Sequence, residues 1–279
     1  MKKVTQSLIA KFKTHLIEDE KSSATLEKYM RDINAFAKWL YEREADKKTV
    51  LEYKEYLMQN HAHSSVNSIL SSLNSFFDFI GWYDAKVKTI KIQKQIFANK
   101  EKELSKSEYE RLLNAAKSKN NQRLFYLLQT ICSTGIRVSE VKFITIEALK
   151  LKKAIIQCKG KMRIVILPKE LCKILSAYAK EEKISTGPVF ITKHGKPLDR
   201  SNIWKLMKSL CESAKVAKEK VFPHNLRHLF ARTFYQLQKD IVRLADILGH
   251  SSINTTRIYT MENGDEHRRQ IQKLGLLLC

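Results

Sequence analysis

The first hundred residues carry two long amphipathic patterns with the period of an α-helix. In each pattern apolar residues recur at steps of 3, 1, 3, 3, 1 and 3 positions; the members are Leu26, Tyr29, Met30, Ile33, Phe36, Ala37 and Leu40, and then Val66, Ile69, Leu70, Leu73, Phe76, Phe77 and Ile80. This spacing places one apolar stripe along each helix, and such a stripe has to be buried against another element. We therefore expect this part of the chain to fold as a helical bundle rather than as a sheet.

Two weaker patterns, at residues 8–17 and 50–57, complete a predicted four-helix unit over residues 1–84. Ser22 or Ser23 is placed to cap the second helix, because a serine hydroxyl can accept a hydrogen bond from a free N–H of the first turn. The aromatic residues of this unit are interpreted as core residues.

A basic segment follows this unit. Over residues 85–102 the apolar period fades, and lysines accumulate at Lys86, Lys88, Lys91, Lys94, Lys100 and Lys102. We interpret the segment as an interdomain linker. Its lysines could contact DNA phosphates without reading sequence, and Lys86, Lys88, Lys91 and Lys94 are the candidates. A solvated connector is the alternative.

Residues 103–279 are predicted to form a second domain that is mainly helical and carries a small sheet. Helices are expected at residues 106–117 and 122–131. The β-branched runs at residues 154–157 and 163–167 flank a Cys-Lys-Gly-Lys sequence and predict a β-hairpin with lysines at its tip. Residues 188–191 could add a strand, and the remainder to residue 272 reads as helices interrupted at Pro223 and Gly249.

The composition agrees with a helix-rich, globular protein. Only 8 Gly and 4 Pro occur in 279 residues. No run approaches 18 apolar residues, and charged residues interrupt the first twenty, so we expect neither a membrane span nor a signal peptide, and a cytoplasmic location. The five cysteines are odd in number and lack Cys-x-x-Cys spacing, which argues against a disulfide framework or a zinc site.

The net charge of +22 indicates a polyanionic partner. Residues 1–100 carry 17 basic and 12 acidic groups, whereas residues 101–279 carry 34 and 17, so the excess lies mostly in the second domain. Nucleic acid is the obvious candidate. Solvated lysine-rich faces are the alternative that charge alone leaves open.

Four short motifs occur in order in the second domain: T-G-I-R-V-S-E at 134–140, C-K-G-K-M-R at 158–163, P-H-N-L-R-H at 223–228 and L-G-H-S-S-I-N-T-T-R-I-Y at 248–259. Together they closely resemble the tyrosine recombinase (phage integrase) family, and the N-terminal helical unit resembles that family's core-binding, SAM-like domain. Each motif alone is weak, but four in this order, with a tyrosine nine residues after Gly-His, are highly specific.

The resemblance implies a site-specific DNA recombinase that works through a covalent 3′-phosphotyrosine and a Holliday junction. Tyr259 would be the nucleophile, and its phosphate ester would conserve the energy of the broken bond, so that no cofactor or ATP is expected. Arg137 and Arg227 would be the paired clamp on the phosphate oxygens, a task that suits a planar, permanently charged guanidinium. Without the other motifs, a core position would be the better interpretation of Tyr259.

The resemblance also assigns the remaining catalytic roles. His224, three residues before Arg227, would do acid–base work near the tyrosine proton, and His250 would stabilise the transition state. Lys159 resembles the family's hairpin lysine, which protonates the leaving 5′-hydroxyl. The hairpin motif here is one residue shorter than the commoner pattern, so Lys161 is an alternative; otherwise Lys161 and Arg163 are expected on the DNA backbone.

Other polar residues are expected to be structural. Glu140 lies close enough to Arg137 to brace it, and His228 is taken as structural. The histidines at 61, 63 and 194 lack further ligands at metal spacing, so no metal is predicted, the arginines doing the electrostatic work a metal ion could do.

The apolar C-terminal residues suggest assembly. Ile271, Leu274 and the leucines at 276–278 could fold onto their own domain, or, as the resemblance implies, dock into a neighbouring protomer to form a homotetramer on double-stranded DNA that carries a specific site. An accessory protein and a nucleoid-associated place of action fit this interpretation, and the compact length resembles Xer-type or transposon resolvases. A type IB topoisomerase and a DNA-binding protein without catalysis are the competing hypotheses.

Overall fold

The computed structural model describes residues 2–92, 100–158, 161–259, 269 and 272–274, and of residues 100, 158 and 161 only the backbone. The chain divides into two compact units, residues 1–94 and 95–279. Both are dominated by helices, and the described part of the second contains one two-stranded sheet. The predicted fold class is confirmed.

The first unit contains the four predicted helices: α1 (Gln6–Glu18), α2 (Ser23–Leu40), α3 (Lys47–Asn60) and α4 (His63–Phe79). Ser22, rather than Ser23, caps α2, its hydroxyl accepting from the Thr25 N–H at 3.3 Å. Both long apolar stripes are buried in one core, in which Ile33, Phe36, Val66 and Phe76 are fully buried.

The start of the predicted linker packs on this first unit. Ala85 and Val87 are buried in its core, and Asn67 holds the backbone of Ile90 through two hydrogen bonds of 2.7 and 2.8 Å. The sequence showed only that the helical period ended at this point. Lys88 is exposed and Lys86 is partly buried, so the fading pattern concealed a docked segment that follows a short 3₁₀ helix (Tyr83–Ala85).

The second unit begins with α5 (Lys106–Ser118) and α6 (Gln122–Thr134), followed by a 3₁₀ helix (Val138–Phe143) and α7 (Ile146–Leu151). The predicted hairpin is formed by β1 (Lys153–Cys158) and β2 (Lys161–Ile166), with Ile156 opposite Arg163. Residues 188–191 make two isolated bridges, Thr145 with Pro188 and Ile191 with Pro197, instead of the further strand suggested by the sequence.

Five more α-helices complete the described part of this unit: α8 (Lys169–Glu181), α9 (Arg200–Lys208), α10 (Pro223–Gln238), α11 (Ile241–Leu248) and α12 (Ile253–Thr256). As expected, Pro223 is the first residue of α10, and Gly249 ends α11 in a left-handed conformation with φ of 61°. No described helix is both long and apolar enough to cross a membrane.

The second unit has two separate apolar clusters among its described residues. The larger is built mainly from α5 to α9, while a small one contains Ala231, Leu244, Leu248 and Tyr259. Tyr259 closes a short 3₁₀ turn after α12 (Arg257–Tyr259) and is 3% exposed.

Candidate active site

One cavity of about 630 Å³ in the second unit collects most of the predicted catalytic residues. Its lining includes Arg137, His224, Arg227, His250 and Tyr259. These five positions span more than 120 residues of sequence, so only the fold brings them together. Lys159 lies outside the described residues, as do Lys94 and the side chain of Lys161.

Arg137 is placed by a tight exit from α6. Gly135 ends that helix with φ of 62°, and a Cβ at this position would lie 2.5 Å from the ring of Phe230, so both the conformation and the packing require glycine. Glu140 then accepts from the Arg137 backbone N–H and from Nη1, both at 3.0 Å. The predicted brace on Arg137 is present, within a 3₁₀ helix.

The first turns of α10 present His224, Arg227 and His228 on one face, because positions i, i+3 and i+4 of a helix are neighbours. Arg227 is 2% exposed and donates to the carbonyl oxygens of Gly135 and Leu248, the latter at 2.8 Å. Burial and the nearby Arg137 lower the pKa of Arg227 to about 10, partly offset by Tyr259. The guanidinium therefore stays charged at neutral pH.

The C-terminal end of α11 holds three guanidinium groups on three successive carbonyl oxygens. Arg163 Nη1 donates to Ile247 O at 3.3 Å, Arg227 Nη2 to Leu248 O at 2.8 Å and Arg137 Nη2 to Gly249 O at 3.2 Å. The last carbonyls of a helix lack partners inside the helix and form the negative end of its dipole. This helix end therefore gathers positive charge beside the cavity.

His250 follows directly and is fixed through both ring nitrogens. Nε2 lies 3.0 Å from Arg227 Nη2, and Nδ1 lies 2.9 Å from Oγ1 of the fully buried Thr256. Burial and the positive charges of Arg227, Arg137 and Arg163 lower the pKa of His250 to about 4. The imidazole is thus neutral at pH 7.

Tyr259 lies among histidines. The ring of His228 meets it edge-on at a centroid distance of 4.5 Å, and His250 lies nearly parallel to it at 5.9 Å. His224 contacts His228 at 4.7 Å. Burial lowers the pKa of His224, as do Arg227 and Arg137, and burial lowers that of His228 to about 4. Neutral imidazoles next to a phenol are able to accept its proton.

The cavity also contains residues that the sequence reasoning missed. Arg200 and the half-exposed Trp204 line it from α9, one helical turn apart, and Ser139 and Thr255 line it as well. A basic and an aromatic residue at i and i+4 on a polar face were the available signal for the first pair. His61, His63 and His194 do not line this cavity. The described residues contain no cluster of side chains able to hold a metal ion.

The predicted DNA contacts have varied surroundings. Lys88 and Lys91 are exposed, while the Lys86 ammonium binds the Asp78 carboxylate at 2.7 Å. Arg163 differs most from expectation. Since β-strand side chains alternate, its register opposite Ile156 turns it inward, and its guanidinium binds protein acceptors.

Two family models match the chain over most of its length. One, described as Phage integrase family, matches residues 102–266, and the other, described as Phage integrase, N-terminal SAM-like domain, matches residues 9–82. The chain belongs to the phage integrase family. Within that family it is a tyrosine recombinase of Xer-like type, an enzyme of site-specific DNA recombination.

Relatives and solved structures agree with this assignment. Tyrosine recombinase XerD of Staphylococcus saprophyticus is 30% identical over 91% of this chain and 92% of the relative, and tyrosine recombinase XerA of Thermococcus kodakarensis is 28% identical over 97% and 96%. The fold is similar to that of a lambda integrase dimer bound to a COC′ core site, with a TM-score of 0.75 at 18% identity, covering 93% of this chain and 96% of that one.

Proposed function

We propose that this recombinase cleaves one strand of its DNA site with Tyr259, forming a 3′-phosphotyrosine and a free 5′-hydroxyl, and exchanges strands through a Holliday junction. The observation that carries the proposal is the convergence of Arg137, His224, Arg227, His250 and Tyr259 on one cavity. Placing the scissile phosphate in this cavity gives each of these residues a role in cleavage.

The arginines would bind the phosphate. Arg137 and Arg227 are both anchored on main-chain oxygens and both line the cavity, so a phosphate entering it meets donors that are already oriented. Their charges offset the negative charge that develops on the non-bridging oxygens during attack. Preorganised donors of this kind commonly account for about 100- to 1000-fold in rate each.

Proton transfer completes the reaction. Tyr259 Oη attacks phosphorus and loses its proton to a neutral imidazole, for which His224 is the proposed acceptor, and Lys159 protonates the 5′-oxygen as the P–O bond breaks. Rejoining runs the same steps backwards with the 5′-hydroxyl of the partner strand. No cofactor enters this sequence.

The proposed partners are double-stranded DNA with a specific site and three further copies of the chain. Charge supports the first, since the +22 net charge attracts a polyanion. A structure with a similar fold is a lambda integrase tetramer bound to a Holliday junction, with a TM-score of 0.73. We propose that the recombinase acts on DNA in the cytoplasm, at the nucleoid, and that an accessory protein takes part.

For the tetramer, we infer that the tail at residues 271–279 docks onto a neighbouring copy. An apolar groove of about 290 Å³ is available in the second unit, lined mainly by Tyr109, Cys132, Leu229, Phe230, Phe234 and Leu237. Leu237 is 76% exposed and Leu274, in the tail, is 62% exposed. Mutual burial of such side chains stabilises association.

The decisive experiment traps the covalent intermediate. The protein is incubated with nicked candidate sites, and an SDS-resistant protein–DNA adduct is expected for the wild type and for Tyr235→Phe, but not for Tyr259→Phe. Tyr235 is a suitable control because it packs against the same small cluster. The absence of a wild-type adduct, or an undiminished adduct with Tyr259→Phe, would contradict the proposal. Relaxation of plasmids that lack any site would instead indicate a type IB topoisomerase.

A further inference from the structure

Arg163 lies at the edge of the phosphate cavity without lining it. It belongs to β2, its side chain is 15% exposed, and its Nη2 binds Glu140 Oε2 at 2.6 Å. The same carboxylate binds Arg137 through Nη1 and through the backbone N–H. Glu140 therefore joins the hairpin arginine to the predicted clamp arginine.

The Glu140 carboxylate depends on both arginines. It is 6% exposed, and a buried, unpaired carboxylate is costly. Although burial acts to raise the pKa of Glu140, hydrogen bonds from Arg163 and Arg137 lower it below the ordinary value. With Arg163 gone, one carboxylate oxygen loses its shortest partner, and the orientation that holds Arg137 is no longer fixed from both sides.

A second contact ties Arg163 to the end of α11. Its Nη1 donates to Ile247 O at 3.3 Å, and its aliphatic stem lies so close to Gly249 that a Cβ there would be 2.6 Å from Arg163 Cδ. Gly249 O is itself the acceptor for Arg137, and His250 is the next residue. Arg163 thus contacts both groups that hold Arg137, the Glu140 carboxylate and the end of α11. It also packs against Gly249, the residue before His250.

We propose that Arg163 is a positioning residue of the recombination reaction: by bridging Glu140 and the end of α11, it holds Arg137 and His250 in place for the scissile phosphate. This inference rests on the proposed function. Arg163 acts through Arg137 and His250 and does not itself bind the DNA backbone. The proposal replaces the sequence-based expectation of a phosphate contact.

The test separates binding from cleavage. Arg163→Met keeps the apolar stem beside Gly249 and removes the charge and donors. Its affinity for an uncleaved site, and the salt dependence of that affinity, are expected to stay within about twofold of the wild type, whereas single-turnover adduct formation falls about 10- to 100-fold, the size expected when a reactive geometry is misplaced. Arg163→Lys, which restores the charge but not the fork, is expected to recover part of the rate.

Lys153→Met provides the matched control. Lys153 is an exposed lysine on the same hairpin, so its loss removes equal charge without disturbing Glu140. If Arg163 instead contacted phosphate, Arg163→Met would weaken binding and lower the salt slope by about 0.9, with normal cleavage of the bound DNA. That result, or a wild-type cleavage rate, would overturn the inference.

A double variant guards against misfolding. Arg163→Met with Glu140→Gln removes both charges of the Arg163–Glu140 pair, so no buried carboxylate is left without Arg163, and the amide keeps an oxygen to which Arg137 can donate. If the two residues act as one unit, the double variant cleaves no more slowly than Arg163→Met alone, and additive losses would count against the proposal. A wild type that gives no adduct at all would reject the proposed function itself, and is thereby distinguishable from a failure of this inference.

Discussion

Arg227 and His250 are in direct contact, with Nη2 of the arginine 3.0 Å from Nε2 of the histidine. A guanidinium has no acceptor, so Nε2 must accept and the ring proton of the neutral imidazole must reside on Nδ1. There it faces Thr256 Oγ1 at 2.9 Å. The Nε2 atom of His250 therefore carries no proton in this arrangement.

Thr256→Val should impair this arrangement while preserving shape. The substitution removes the acceptor of the Nδ1 proton and puts a methyl group of the fully buried residue 256 beside it, so we expect adduct formation to slow by about tenfold, in line with about 1–3 kcal/mol for an unsatisfied donor. Thr256→Ser, which keeps the hydroxyl, should restore most of the rate. Equal rates for wild type and Thr256→Val in single-turnover cleavage would contradict the prediction.

Gly249→Ala should block cleavage, and Gly187→Ala should not. Both glycines have positive φ, 61° and 73°, so each substitution should cost about 1–2 kcal/mol of stability. Only at Gly249 would the new Cβ collide, lying 2.6 Å from Arg163 Cδ and 2.8 Å from Nη1, whereas nothing lies within 4 Å at Gly187. Thermal melts and adduct assays on the two variants measure the two effects; equal activity would argue against the packing role of Gly249.

Acid should destabilise the DNA-free protein between about pH 6.5 and 4. The pKa values of His228 and His250 fall from 6.5 to about 4 on burial, so the unfolded chain binds more protons in this window and stability declines as pH falls. Above pH 6.5 these two groups make no contribution to the slope.

The measurement compares thermal unfolding midpoints at pH 7 and pH 5. His228→Leu removes one group that must charge on unfolding, so its midpoint should drop less than that of the wild type. His194→Leu, at an exposed position outside the cavity, should show the full wild-type drop. A His228→Leu drop as large as that of the wild type would contradict the assignment.

The hairpin lysines can be separated by substrate chemistry. Replacing the leaving 5′-oxygen by sulfur gives a leaving group of much lower pKa that needs no general acid. We expect Lys159→Ala to cleave the oxygen substrate slowly and the sulfur substrate at nearly the wild-type rate. Lys161→Ala is expected to weaken a DNA backbone contact, so its cleavage rate should not recover with the sulfur substrate. If Lys161→Ala recovers and Lys159→Ala does not, Lys161 is the general acid.

Deletion of residues 271–279 should abolish cooperative synapsis while leaving single-site binding intact. Leu237→Asp, in the proposed acceptor groove, should have the same effect because it places a charge where the tail would bury apolar surface. Gel-shift assays with one and two sites measure both quantities. Unchanged synapsis in the deletion variant would reject tail docking in trans.

Most helices were predicted correctly because the apolar stripe that a helix buries is a local, periodic pattern in the sequence. Both long patterns became α2 and α4, and Pro223 and Gly249 marked real helix ends. Ala85 and Val87 were not predicted to be buried because a short 3₁₀ helix followed by a few docked residues has no helical period.

The contacts that hold the catalytic candidates in place were harder to predict than the candidates themselves. Motif resemblance named the residues that line the cavity, but the role of Arg163 depends on hairpin register and on the position of α11, both of which are tertiary. Likewise, the anchoring of three arginines on one helix end follows from the geometry of distant segments. Arg200 and Trp204 gave only a weak signal, since an exposed basic and aromatic pair occurs on many helices.

Tyr259 belongs to the small apolar cluster of Ala231, Leu244 and Leu248, which is separate from the larger core of its domain. A segment secured by few apolar contacts undergoes local unfolding at a lower free energy than the rest of the domain. Tyr259, the proposed nucleophile, therefore lies on a segment whose local unfolding costs less free energy than unfolding of the larger core. A conformational equilibrium of this segment would then set how often the Tyr259 hydroxyl is accessible.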